Sequence, residues 1–167
     1  MLIYSNCQRQ RSMREIYREY EDKPGHLARR FQQIAVAVFQ TEMDAIGSDI
    51  TPVQYAALAA VAAMPGIDQA TLAGEIAFDR TTITGVIDRL EAKGLMSRQV
   101  SAKDRRARVL AITPDGQTML ERIRPAVEAA QHQMTRGLTA EETETLMHLL
   151  HKAVDNANAL SRAPKRT

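Results

Sequence analysis

Apolar residues recur along this chain at a helical period, in stretches separated by turn signals. Leu27, Phe31, Ile34 and Val38 fall on one helical face. That helix opens at Pro24, whose fixed φ suits a first turn, and runs to about Ile46, where Gly47-Ser48-Asp49 breaks it. Thr51-Pro52 starts a second, Ala-rich helix, with Thr51 as N-cap and Tyr55, Leu58 and Val61 near one side, and Met64-Pro65-Gly66 ends it. Asp68 caps a third helix over Gln69–Ala77, whose buried side is Leu72, Ala73 and Ile76. Asp79 caps a fourth, which stops at Gly94 after Lys93 has complemented the dipole of its last turn. Leu95 to Val100 and Arg108 to Ile112 read as short strands around a charged turn. Thr113-Pro114-Asp115-Gly116 begins a long helix, which Pro125 should bend and Gly137 closes. Thr139-Ala140-Glu141-Glu142 is a capping box for a last helix with the apolar stripe Leu146, Leu149, Leu150, Ala153 and Val154.

The order helix, turn, helix, hairpin predicts a mainly α fold: a winged helix-turn-helix lobe over residues 51–116 with a small two-stranded β wing. The remaining helices, 24–46 and 117–160, complete a single domain over residues 24–160. Residues 1–23 are polar, with no clear apolar stripe before Ile16, and read as a flexible arm in which Met13 is a second candidate start. Residues 161–167 form a basic tail. Composition agrees with this: 44% hydrophobic residues supply a core, and with 4% aromatics and no Trp that core is aliphatic, which favours helices.

Net charge is only +2, so its distribution matters more. Between Ser97 and Arg108 lie Arg98, Lys103, Arg105, Arg106 and Arg108 against the single Asp104, whereas Glu141, Glu142 and Glu144 make the start of the last helix acidic. A locally basic hairpin on a near-neutral protein is expected where one surface meets phosphate. Cys7 is the sole cysteine. It reads as a free thiol in a loose tail, with a redox switch between subunits as the alternative. No apolar run approaches the ~20 residues that span a bilayer, no signal pattern opens the chain, and a cytoplasmic protein without membrane contact is expected. The chain carries no G-x-S-x-G, Walker loop, C-x-x-C or H-E-x-x-H. It is therefore expected not to be an enzyme and to need no cofactor or metal.

In the fourth helix Ile83, Val86, Ile87 and Leu90 share the face that packs on the third. At about 100° per residue, Thr81, Gly85 and Asp88 point the other way, with Thr84 and Arg89 flanking them. Short outward side chains let a helix sit deep in a major groove ~12 Å wide. Thr can bond a phosphate or base edge, and its methyl can touch that of thymine. Gly85 costs ~1 kcal/mol in a helix interior relative to Ala, which reads either as close approach to a partner or as tolerated drift. Asp88 would repel phosphate. It lies beyond the backbone, pairs with a nearby arginine, or accepts from a cytosine amino group. At the hairpin tip Arg105 and Arg106 can enter a narrow minor groove, and Asp104 holds a neighbouring arginine. The candidate DNA-binding set is Arg80, Thr81, Thr82, Thr84, Gly85, Arg89, Arg98, Lys103, Asp104, Arg105 and Arg106.

The run from Asp79 through Arg80-Thr81-Thr82-Ile83-Thr84-Gly85 to Lys93-Gly94-Leu95 resembles the recognition-helix segment of the MarR family of regulators. Asp104-Arg105-Arg106-Ala107, followed by Ile112-Thr113-Pro114-Asp115-Gly116, is similar to that family's wing and exit. The likeness covers about Pro24 to Leu160. It implies a triangular, mostly helical homodimer, a winged helix-turn-helix on each subunit, a palindromic double-stranded operator and, in most relatives, repression. Many members carry a longer basic or polar residue where this chain has Gly85.

The flanking stripes need a partner that the lobe does not supply. Leu27, Phe31 and Ile34, with Leu146, Leu149, Leu150 and Val154, are the candidate dimer residues, and two-fold symmetry suits two half-sites about one helical turn apart. The segment Pro24 to Gln33 also resembles the first helix of MarR members that answer to aromatic carboxylic acids. His26, Arg30 and Gln33 share a polar stripe, and Tyr55 is expected to close a pocket for a benzoate- or nicotinate-like anion. The plainer reading is that His26 and Arg30 are solvated or make intersubunit ion pairs. Glu144, His148 and His151 at i, i+4, i+7 have metal-compatible spacing but equally suit a polar helix face. The alternatives are a helical protein-interaction module and a redox- or metal-responsive regulator.

Overall fold

The computed structural model describes residues 13–101 and 108–161. Its elements are α1 (Met13–Glu21), α2 (Pro24–Ala45), α3 (Pro52–Ala63), α4 (Gln69–Glu75), α5 (Arg80–Ala92), β1 (Met96–Val100), β2 (Arg108–Ile112), α6 (Pro114–Thr135) and α7 (Ala140–Ala157), followed by a 3-10 turn at Asn158–Leu160. The strands pair antiparallel, from Met96 opposite Ile112 to Val100 opposite Arg108.

Side-chain caps set the starts of α3 to α7. Thr51 and Gln54 form a reciprocal box at α3, and Thr139 and Glu142 form one at α7. Asp68 Oδ1 accepts the Ala70 and Thr71 amides at 2.8 and 2.9 Å. These bonds satisfy donors that a helix leaves unpaired at its first turn. The ends of α2, α4 and α5 share one solution. The residue after the C-cap (Gly47, Ala77 or Gly94) turns left-handed, and the following amide returns to a carbonyl inside the helix: Ser48 to Met43, Phe78 to Ala73, Leu95 to Leu90, each 2.9 Å. Regular helix therefore ends at Glu75 rather than at the expected Ala77, because Ala77 (φ 56°) already belongs to the reversal.

The core lies in the winged lobe and continues into the facing parts of α2 and α6. Met43, Ile50, Leu58, Leu72, Ile83, Ile87, Leu90 and Ile123 are wholly enclosed. The hairpin is sewn to this core by the Leu110 amide, which donates to the Ile67 carbonyl at 2.9 Å. At the exit to α6, Thr113 Oγ1 donates to the Gly94 carbonyl at 2.6 Å and accepts the Gly116 amide at 3.0 Å. Gly116 is obligatory there, since a Cβ would press on the Leu95 carbonyl oxygen and lie 2.8 Å from Ile112 Cγ1.

α2 packs chiefly on α6. Arg122 Nη2 of α6 donates to the Ile46 carbonyl at 3.0 Å, holding the end of α2. The buried part of α2 is Phe39 and Met43, while Leu27 and Ile34 stay exposed. In α7 no residue is buried. One expectation needs correction: the segment read as a flexible arm is helical over Met13–Glu21. This helix meets α2 through the Tyr20 ring, edge-on to His26 at 4.7 Å between centroids. Its contact is made by a tyrosine among charged neighbours, which leaves no aliphatic stripe to read. The rest of the arm, Cys7 included, and the tail after Ser161 lie outside the described residues. No helix among the described residues is long and apolar enough to cross a membrane.

Candidate nucleic-acid interface

α4, the turn at Ala77-Phe78-Asp79 and α5 fix the orientation of the outward face of α5. Ile83, Val86, Ile87 and Leu90 are buried as the periodicity requires. Asp79 Oδ1 accepts the amides of Thr81 and Thr82 at 3.0 and 2.9 Å, and Oδ2 accepts the Thr82 hydroxyl at 2.5 Å. The side-chain hydrogen bond from Thr82, then that from its amide, hold the Asp79 carboxyl below its ordinary value. The Thr82 hydroxyl proton is therefore committed to the cap.

Thr84 is also engaged. Its Oγ1 accepts from Gln69 Nε2 at 2.6 Å and donates to the Arg80 carbonyl at 2.9 Å. Arg80, Thr81 and Arg89 are exposed, and their side chains make no hydrogen bond or ion pair among the described residues. These are the groups of α5 free to meet phosphate or base edges. A methyl built on Gly85 meets nothing within 4 Å, so packing inside the chain does not demand glycine there.

Arg98 departs from expectation. Its side chain is 29% exposed, and the guanidinium pairs with Glu91 through Nη1 and with Asp88 Oδ1 through Nη2, the latter at 2.6 Å. Its amide donates to Glu91 Oε1 at 2.7 Å. Arg98 is thus a brace between β1 and α5, each terminal nitrogen donating to a carboxylate of α5, rather than a free cation. The same bracket settles Asp88, which pairs with an arginine of its own chain. A second tie joins Lys93, at the end of α5, to Asp49 before α3, and the Lys93 ammonium lowers the Asp49 carboxyl by hydrogen bond and charge. Exposed as Asp49 is, that tie contributes little stability. Lys103, Asp104, Arg105 and Arg106 lie outside the described residues, while Arg108 is exposed where β2 begins.

The expected effector residues are not brought together within one chain. The Tyr55 ring lies tilted against Phe39, 6.2 Å between centroids, beside a hollow lined by Gln117, Glu121 and Arg124. His26 lies thirteen residues before Phe39 on the same helix, which is about 20 Å at 1.5 Å per residue. The aromatic neighbour of His26 is Tyr20, and His26 Nε2 is buried without a hydrogen-bond partner. Arg30 and Gln33 are exposed. Of the candidate dimer residues, Leu27, Phe31, Ile34, Leu146 and Leu150 line one apolar groove between α2 and α7 together with Arg30, whereas Leu149 and Val154 are 55% and 64% exposed. Among the described residues no group of His, Cys, Asp or Glu converges on a metal position, so Glu144, His148 and His151 remain a polar helix face.

Sequence reasoning missed Gln69 and Glu91 as organisers of this surface, whereas pairing with a nearby arginine was one of the three readings open for Asp88.

A helix pair whose second member stands proud of the lobe, braced to an antiparallel hairpin, is a winged helix-turn-helix, the architecture of DNA-binding regulators. The MarR family profile matches residues 50–107. Transcriptional regulator HosA of Escherichia coli O127:H6 (strain E2348/69 / EPEC) is 31% identical over 134 residues, spanning 80% of this chain and 96% of HosA. BpsR of Bordetella bronchiseptica, solved in work on regulation of its DNA binding by 6-hydroxynicotinic acid, superposes with a TM-score of 0.76 at 31% identity, covering 81% of this chain and 96% of BpsR. The transcriptional repressor CouR bound to a 23-mer DNA duplex gives 0.74 at 26% identity, with 81% and 95% covered. This chain belongs to the MarR family of transcriptional regulators, a DNA-binding rather than an enzymatic family.

Proposed function

We propose that this protein is a repressor that binds a palindromic operator as a homodimer and is released by a small aromatic carboxylic acid. The observation that carries the DNA-binding part is the face of α5. Arg80, Thr81 and Arg89 are presented to solvent without side-chain hydrogen bonds or ion pairs among the described residues, on a helix held at its start by Asp79 and along its side by Arg98. On this reading the cations Lys103, Arg105 and Arg106 of the hairpin sequence, with Asp104 among them, supply the backbone and minor-groove contacts. A single lobe with so few phosphate contacts binds weakly. Two lobes joined through the groove of Leu27, Phe31, Ile34, Leu146 and Leu150, and through the faces of Leu149 and Val154, bind together.

Support for the effector comes from α2. His26 Nε2 is a buried polar atom without a partner, which stable structures rarely tolerate, and Arg30 supplies a cation beside an apolar groove. A carboxylate bound by His26, Arg30 and Gln33 at the protomer boundary alters the spacing of the two lobes. It weakens DNA binding by its differential affinity for the two spacings. BpsR, whose DNA binding is regulated by 6-hydroxynicotinic acid, is the similar case. Tyr55 is left out of this site.

The test is fluorescence anisotropy on duplexes that the protein selects from a randomised pool, at graded salt, followed by titration with benzoate and 6-hydroxynicotinate. The proposal expects binding that strengthens steeply as salt falls, release by one of the two acids, and loss of that release in His26→Ala with DNA affinity kept. No duplex retained at any salt favours the protein-interaction module instead.

A further inference from the structure

Thr84 lies on the part of α5 that faces away from the core, yet its hydroxyl is spoken for. A threonine Oγ1 has one hydrogen and two lone pairs. The hydrogen goes to the Arg80 carbonyl at 2.9 Å, and one lone pair receives Gln69 Nε2 from α4 at 2.6 Å. The group therefore has no proton left for a phosphate oxygen, for purine N7, for guanine O6 or for thymine O4. What the exposed side chain still offers is one lone pair, able to accept only from an adenine or cytosine amino group, and its methyl. Threonine in a helix divides between two χ1 rotamers because its hydroxyl can bond back to the preceding turn; here that back-bond and the Gln69 bond select one and hold the methyl in a fixed direction. Thr84 is exposed and Gly85 beside it adds no side chain, so the methyl has open approach.

We propose that Thr84 is a specificity residue that recognises the C5 methyl of a thymine in the major groove by apolar contact, with Gln69 as the positioning residue that fixes its rotamer. The inference rests on the DNA-binding reading above. It refines that reading by replacing a polar contact with an apolar one at this position.

The test takes a duplex selected by the wild-type protein and replaces its thymines one at a time with deoxyuridine, which removes the methyl and leaves base pairing unchanged. Wild type, Thr84→Ser, Thr84→Val and Gln69→Ala are then titrated. For wild type, one thymine per half-site should show a loss of about fourfold on replacement, the equivalent of ~0.8 kcal/mol for one buried methyl. Thr84→Ser should lose about the same factor on the thymine duplex and be indifferent to the replacement. Thr84→Val, which keeps methyls and lacks the hydroxyl, should retain the preference, and Gln69→Ala should reduce it. If no thymine matters to wild type, or if Thr84→Ser keeps the full preference, the inference is overturned. An unchanged ratio in Gln69→Ala removes Gln69 from it. Failure of wild type to select any duplex defeats the DNA-binding reading itself, and that result is distinct from the others.

Discussion

In the winged lobe Leu58, Leu72, Ile83, Ile87 and Leu90 expose nothing. In α7 of the same chain no side chain is buried, although its stripe of Leu146, Leu149, Leu150 and Val154 has the same helical period as the buried stripe of α5. The N-terminal half of α2 behaves like α7, with Leu27 and Ile34 53% and 48% exposed, while its C-terminal half is locked in the core by Phe39 and Met43. A periodic apolar face states that burial is needed, not what covers it. The lobe answers from within the chain. On the function proposed here, the flanks answer with a second copy.

The sharpest way to break this contrast is to charge the flank. Leu149→Asp with Leu150→Asp touches no buried residue, so the protomer should stay folded by circular dichroism. Sedimentation should fall to the protomer mass, and affinity for a selected duplex should drop by about 100-fold or more, as expected when one lobe must bind alone. Retained dimer mass would place the interface elsewhere. In the lobe the same kind of change should act on stability instead. Ile87→Ala or Leu58→Ala should cost roughly 2–5 kcal/mol in urea unfolding, because both sites are wholly enclosed.

Smaller in energy, Gly85→Ala should separate stability from binding. The helix interior gains about 1 kcal/mol and nothing in the chain obstructs the methyl, so Tm should rise while duplex affinity falls. A rise in Tm with unchanged affinity would assign Gly85 to drift. The smallest effect concerns the cap. The Asp79 carboxyl sits below its ordinary value of 3.8 because the Thr82 hydroxyl, then the Thr82 amide, donate to it. A group whose folded value is depressed stabilises the fold fully above the unfolded value and loses that contribution as pH falls through the folded one. Urea midpoints measured from about pH 5 to about pH 3 should therefore decline slightly less in Asp79→Asn than in wild type.

Much of this was legible in the sequence because it is local. The caps at Thr51, Asp68, Asp79 and Thr139, the left-handed stops at Gly47 and Gly94, and the inward face of α5 are set by residues within a few positions of one another. What escaped depends on distance across the fold. Arg98 reads as one more cation of a basic hairpin until the hairpin folds back and sets it against Asp88 and Glu91, ten and seven residues earlier. Gln69 and Thr84 meet only because α4 crosses α5, fifteen residues apart in sequence. Tyr55 fits an aromatic pocket by composition, but α3 packs on the far end of α2 from His26, and the ring beside His26 comes from α1. α1 was missed because its contact residue Tyr20 stands among Arg18, Glu19 and Glu21 and reads as part of a charged tail.

The central claim is that two copies of this chain seat a pair of α5 helices on one duplex. Sedimentation velocity of a fluorescently labelled, selected duplex with excess protein tests it most directly. The account predicts a complex with the mass of the duplex plus two chains, dissolved by raised salt. A saturated complex containing one chain, or free duplex at every salt concentration, would contradict it.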